Sequence, residues 1–93
     1  MTREILASIL ARAPGVEGRK NRFEIAEGHE LTVYVGRPGQ AMQLGEVGSC
    51  ILEEGFVEVR ARDERLVAFV RYDDVSVVAV RPPRAGVSRR AGF

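Results

Sequence analysis

The chain is poor in the side chains that most often do chemistry, with one cysteine and one histidine in 93 positions. A lone cysteine, Cys50, cannot close a disulfide within the chain, and no Cys or His stands close by to build a zinc site with it. It reads as a small buried apolar residue in a strand. The histidine, His29, lies between Glu27 and Glu30 in a glycine-containing turn, which predicts a solvated loop side chain rather than a metal ligand. There is no Gly-x-Ser-x-Gly elbow, no Gly-x-x-x-x-Gly-Lys phosphate loop and no GxGxxG opening a helix. The expectation is a protein that is not an enzyme, with no catalytic residue, no metal and no cofactor. Apolar runs are also short: none approaches the roughly 20 residues that cross a bilayer, and Met1-Thr2-Arg3-Glu4 opens no signal-peptide pattern. A cytoplasmic protein without membrane contact is expected.

What is present is enough for one core and no more. Apolar residues make up 45% and charged residues 29% of the chain, ordinary values for a folded domain. A domain this small buries little area per residue, so self-association that buries more is expected. The net charge of +1 hides an asymmetry. Residues 81 to 93 hold Arg81, Arg84, Arg89 and Arg90 and no acid, so residues 1 to 80 hold ten bases against thirteen acids and carry −3. The body is slightly acidic and the tail basic.

Thr2 can cap a helix over Arg3 to Ala13, where Ile5, Ile9 and Ala13 recur at helical spacing, Leu6 and Leu10 widen the stripe, and Pro14-Gly15 stops it. Residues 1 to 15 thus form an amphipathic helix that covers the rest of the domain or a partner. Val16 to Arg22 is polar and reads as a linker, with Arg19, Lys20 and Arg22 as a basic cluster. From Phe23 the period changes to two. Short strands are expected at Phe23 to Ala26 and Leu31 to Val35. Gly36-Arg37-Pro38-Gly39 turns the chain into a long segment, Ala41 to Leu52, whose Gly45 and Gly48 predict a bulge or sharp bend. After Glu53-Glu54-Gly55, Phe56 to Arg62 alternates, with Val57, Val59 and Ala61 inward. Leu66 to Tyr72 and Val75 to Val80 follow, separated by Asp73-Asp74, two carboxylates that belong to a turn rather than to one acid–base site. The segment 23–80 is therefore read as a mainly β domain, a small, strongly bent five-stranded SH3/Sm-like barrel. Arg81-Pro82-Pro83 ends it, and the tail 81–93 is expected to be disordered.

Over residues 1 to 80 this order of elements resembles the bacterial Sm-like (Hfq-like) family of small β-barrels. The helix, Leu31 to Gly36 as first barrel strand, the bent glycine-bearing second strand and Phe69-Val70-Arg71-Tyr72-Asp73-Asp74-Val75-Ser76 carry the resemblance. It implies a ring of subunits paired edge to edge, with RNA held near the last turn. Where that family carries a basic Lys-His pair after the tyrosine, however, this chain has Asp73-Asp74, which repels phosphate.

Two functions are consistent with these residues. The first is an interaction module, a small β-barrel adaptor or assembly protein that self-associates and binds a protein partner, with a candidate groove beside Tyr34, Arg71 and Tyr72. The alternative is an RNA-binding protein that uses Arg19, Lys20, Arg22, Arg81, Arg84, Arg89 and Arg90.

Overall fold

In a computed structural model that describes residues 1–37 and 39–83, the chain forms one N-terminal helix and two antiparallel sheets. The helix, α1 (Arg3–Arg12), begins where the sequence places it. The Thr2 hydroxyl accepts the Ile5 amide at 3.2 Å and Glu4 lies in the first turn, so both capping and the helix dipole favour this start. The buried face differs from the expected one. Leu6 and Leu10 are almost wholly covered, whereas Ile5 is 52% exposed. The stripe is rotated toward its leucines because α1 packs beside β1 with Leu6 and Leu10 in the core, and only one side of a helix can face it.

Eight strands follow: β1 (Val16–Arg19), β2 (Arg22–Ile25), β3 (Glu30–Val35), β4 (Met42–Leu44), β5 (Val47–Leu52), β6 (Phe56–Ala61), β7 (Val67–Arg71) and β8 (Val75–Arg81). The first sheet runs β1-β2-β5-β6-β7 and the second β4-β3-β8. The expected five-stranded closed barrel is therefore corrected to two open sheets, for two physical reasons. First, the polar segment taken as a linker is β1, folded back on β2 through Lys20-Asn21, with Lys20 left-handed at φ 57°. Its charges simply face water, since a strand at a sheet edge needs only one buried side. Second, the long middle segment is split. Gly45-Glu46, with Glu46 at φ 51°, ends β4 in the second sheet and starts β5 in the first.

The glycine-marked bulge is present. Val47 faces Ala61 while Ser49 faces Arg60, leaving Gly48 as the extra residue, and a Cβ there would stand 2.9 Å from the Arg62 Cα. A short 3-10 turn, Tyr72–Asp74, carries the chain from β7 in the first sheet to β8 in the second. This is the turn the adjacent aspartates suggest.

Between the sheets lies one core. Its members include Leu6 and Leu10 of α1, Phe23 and Ile25 of β2, Leu31 and Val33 of β3, Cys50 and Leu52 of β5, Val57 and Val59 of β6, and Val70 and Val75. The strand alternation foreseen for β6 holds at Val57 and Val59, which are 1% and 3% exposed. Several polar contacts lock the ends of this core. The Leu52 carbonyl accepts from Asn21 at 3.1 Å and from the Arg3 guanidinium at 3.4 Å, fastening the β1–β2 turn and the helix to the end of β5. Tyr72 is buried, with its hydroxyl donating to the Glu53 carbonyl. Burial raises its pKa against the opposing pull of the Arg3 guanidinium.

Cys50 is 2% exposed, and burial pushes its thiol up to about 12. At pH 9 only about one thiol in a thousand is then thiolate, the reactive form. Native protein is expected to resist iodoacetamide and to react at the rate at which it unfolds, whereas protein in guanidinium titrates one thiol at once. Rapid alkylation of the native chain would show that Cys50 is accessible.

Candidate interaction interface

The outer face of the first sheet shows how its charges are arranged. On β1 and β2 the outward residues are Glu17, Arg19, Arg22 and Glu24, because Phe23 and Ile25 take the inner positions. Pairing sets Glu17 against Glu24 and Arg19 against Arg22. Like charges lie directly across the strands, and each strand carries an acid two residues from its base. Arg22 is bonded to Glu24 at 2.9 Å. On β6 the same alternation recurs, with Arg60 bonded to Glu58.

The predicted basic cluster therefore exists as a place, the β1–β2 hairpin, but not as an unbroken positive surface. Arg19, Lys20 and Arg22 share the hairpin with Glu17 and Glu24. Arg81 lies on the other sheet, at the end of β8, opposite Glu30. Arg84, Arg89 and Arg90, and with them the expectation of a disordered tail, lie outside the described residues.

The predicted groove is not assembled from its three residues. Tyr34 lies on the outer face of the second sheet, paired with Val77 and accepting from the Gln43 amide at 3.4 Å. Arg71 and Tyr72 instead line a hollow at the C-terminal end of β7, with residues 1–4, Glu54, Gly55 and Asp73. Arg71 is held by Asp74 at 3.2 Å, and the Tyr72 ring is buried. That hollow mixes both signs of charge.

His29 is also placed otherwise than expected. It is half-buried, its ring packed so tightly on Gly15 that a Cβ there would stand 2.3 Å from the imidazole Cδ2. Around it, Arg62 donates to the Ala26 and His29 carbonyls at 3.3 and 3.1 Å, and the Ala26 amide donates to the Gly15 carbonyl at 2.7 Å. The histidine thus belongs to a structural clasp between the α1–β1 and β2–β3 turns. Among the described residues no group of three or more His, Cys, Asp or Glu is arranged to hold a metal, and no helix is long and apolar enough to cross a membrane.

The surface that the sequence does not single out is the free edge of β7. Each open sheet has two edges: β1 and β7 in the first, β4 and β8 in the second. Natural edges are blunted by charge or by brevity. β1 carries Glu17 and Arg19 in four residues, and β4 is only three residues long. The other two have neither protection. β7 bears no charge before its last residue, Arg71, and β8 none before Arg81.

Exposed apolar side chains collect on β7. Phe69 is 66% exposed, Leu66 50%, Val67 36% and Phe56 of the adjacent β6 37%. The rings of Phe56 and Phe69 meet edge to face with centroids 5.9 Å apart. On β8, Val77 is 51% exposed. A sequence signal for this existed: Leu66-Val67-Ala68-Phe69-Val70 is a continuous apolar run, in which only one of two faces can enter the core.

No family model matches the chain, and comparison with curated proteins and with solved structures finds no match.

Proposed function

We propose that this chain is a non-enzymatic interaction module, a small β adaptor or assembly protein that self-associates and binds a protein partner through its uncovered sheet edges. The observation that carries this reading is the pair of unprotected edges, β7 and β8, with Phe69 the most exposed large apolar side chain among the described residues. An edge strand offers a row of free amides and carbonyls to any strand that can meet it, and exposed alternate side chains add affinity. The finer fold reading goes with it. A strand β3, a bent β4–β5, then β6, β7, a 3-10 turn and β8 returning beside β3 follow the order of an SH3/Sm-like barrel, with the β1–β2 hairpin added and the barrel left open.

RNA binding has less support. Arg19 and Arg22 share their strands with Glu17 and Glu24, Arg22 is ion-paired to Glu24, and Asp73 and Asp74 occupy the last turn.

The test is oligomeric state. Light scattering over a dilution series is expected to give masses above the 10.2 kDa of one chain at high concentration. Phe69→Lys is expected to shift the protein to the monomer while leaving the melting temperature at dilute concentration within about 3 °C, because an exposed site contributes little to the core. A wild type that is monomeric throughout would remove self-association from the proposal.

A further inference from the structure

Resting on the reading of β7 as an uncovered edge, we infer that the partner it takes is β7 of a second copy, paired antiparallel about a two-fold axis at Phe69. The argument begins with the hydrogen bonds inside the sheet. The Ala61 amide donates to the Leu66 carbonyl at 2.9 Å, and the β6–β7 register pairs Val59 with Ala68 and Val57 with Val70. In an antiparallel ladder hydrogen-bonded pairs alternate with non-bonded ones. Ala68 and Val70 therefore point their amides and carbonyls at β6, and Val67, Phe69 and Arg71 point theirs out of the sheet. Three consecutive outward positions, centred on Phe69, are what an incoming strand would read.

Those three positions are self-complementary in one arrangement. With Phe69 opposite its own copy, Val67 meets Arg71 and Arg71 meets Val67, and every outward amide faces an outward carbonyl. No like charges are opposed. Parallel, in-register pairing would set Arg71 against Arg71, which is unfavourable across strands. The antiparallel register also overlaps all five residues of β7, the most that the strand can offer.

The exposed apolar residues choose between this and a head-to-tail contact of β7 with β8. Val67 and Phe69 lie on one face of β7, with Phe56 of β6 beside them and Leu66 just before the strand, against Val77 alone on β8. Two-fold pairing merges Val67, Phe69 and Phe56 of each copy into one patch with the two Phe69 rings at its centre. Pairing with β8 would set Phe69 against small or single apolar neighbours and leave the patch largely wet. A two-fold contact also closes on itself as a dimer, whereas a head-to-tail contact builds a ring or a filament.

The experiment is cross-linking in the full chain. Phe69→Cys adds one accessible thiol to a protein whose own Cys50 is buried, and a short bis-maleimide is expected to join the two Phe69→Cys positions into a covalent dimer in high yield. Because that substitution trims the apolar contact, a mixture of Val67→Cys and Arg71→Cys chains, which retains Phe69, serves as the second readout: the mixed dimer is expected, and Arg71→Cys alone is expected to cross-link at least tenfold less. If wild type associates but Phe69→Cys and the mixture fail to cross-link, while Phe69→Cys/Val77→Cys yields a ladder of higher oligomers, the two-fold pairing is overturned and self-association stands. If wild type stays monomeric at all concentrations, both are overturned.

Discussion

Gly15→Ala is expected to destabilise the domain by about 3 kcal/mol, the sum of two costs at one position. The first is backbone: φ at Gly15 is +75°, a left-handed conformation that costs a Cβ-bearing residue roughly 1 kcal/mol. The second is steric, since the new methyl would stand 2.3 Å from His29 Cδ2 and overpacking of this kind costs roughly 1–3 kcal/mol. The ring cannot swing away freely, because the chain that carries it is tied down by Arg62 at the Ala26 and His29 carbonyls. Chemical denaturation of Gly15→Ala, His29→Ala and the double variant separates the terms. Removing the ring is expected to restore roughly 1–2 kcal/mol of the loss in the double variant, leaving the backbone cost. Additive losses would show that the two residues do not press on each other. A Gly15→Ala variant as stable as wild type would deny the clasp altogether.

That clasp also marks a limit of what residue patterns disclose. A histidine in a polar, glycine-containing turn is usually wet, and nothing in Glu27-Gly28-His29-Glu30 announces that Gly15, from another turn, will lie against its ring. Arg62 is similar: as the last outward residue of an alternating strand it is read as solvated, yet its guanidinium spans two carbonyls of a distant turn. Such contacts depend on tertiary placement, to which hydrophobic period is blind.

Where period and turn chemistry decide the outcome, the structure follows the sequence closely. The cap at Thr2, the alternation through Val57 and Val59, the Gly48 bulge and the turn at Asp73-Asp74 are all local, and all are present. The misreading of Val16 to Arg22 has its own cause. A strand that is mostly exposed at a sheet edge has no apolar alternation to show: on the inner side of β1 only Val16 has an apolar side chain to set against the core, and Gly18 has none. The free edge of β7 lay between these cases: its apolar run was visible, but which residues face water depends on how the sheets are joined.

Leu10→Ala is expected to cost about 3 kcal/mol and to lower the melting temperature by roughly 15 °C, in line with other leucine truncations in cores of this size. Leu10 is fully buried and Leu6 is 2% exposed, and together they join α1 to the core. The contrast that makes the measurement decisive is with Ile5 and Ile9, the residues that periodicity places at the centre of the stripe. Ile5 is half in water and Ile9 only partly covered, so Ile5→Ala and Ile9→Ala are each expected to cost under about 1 kcal/mol. Thermal melts of the three variants at one dilute concentration keep any self-association from contributing. Equal losses at Leu10 and Ile5 would place the helix in a different rotation, with the isoleucines buried. The helix would then cover the sheets with another face, and Arg3, which donates to the Leu52 carbonyl from the present one, would lose that contact.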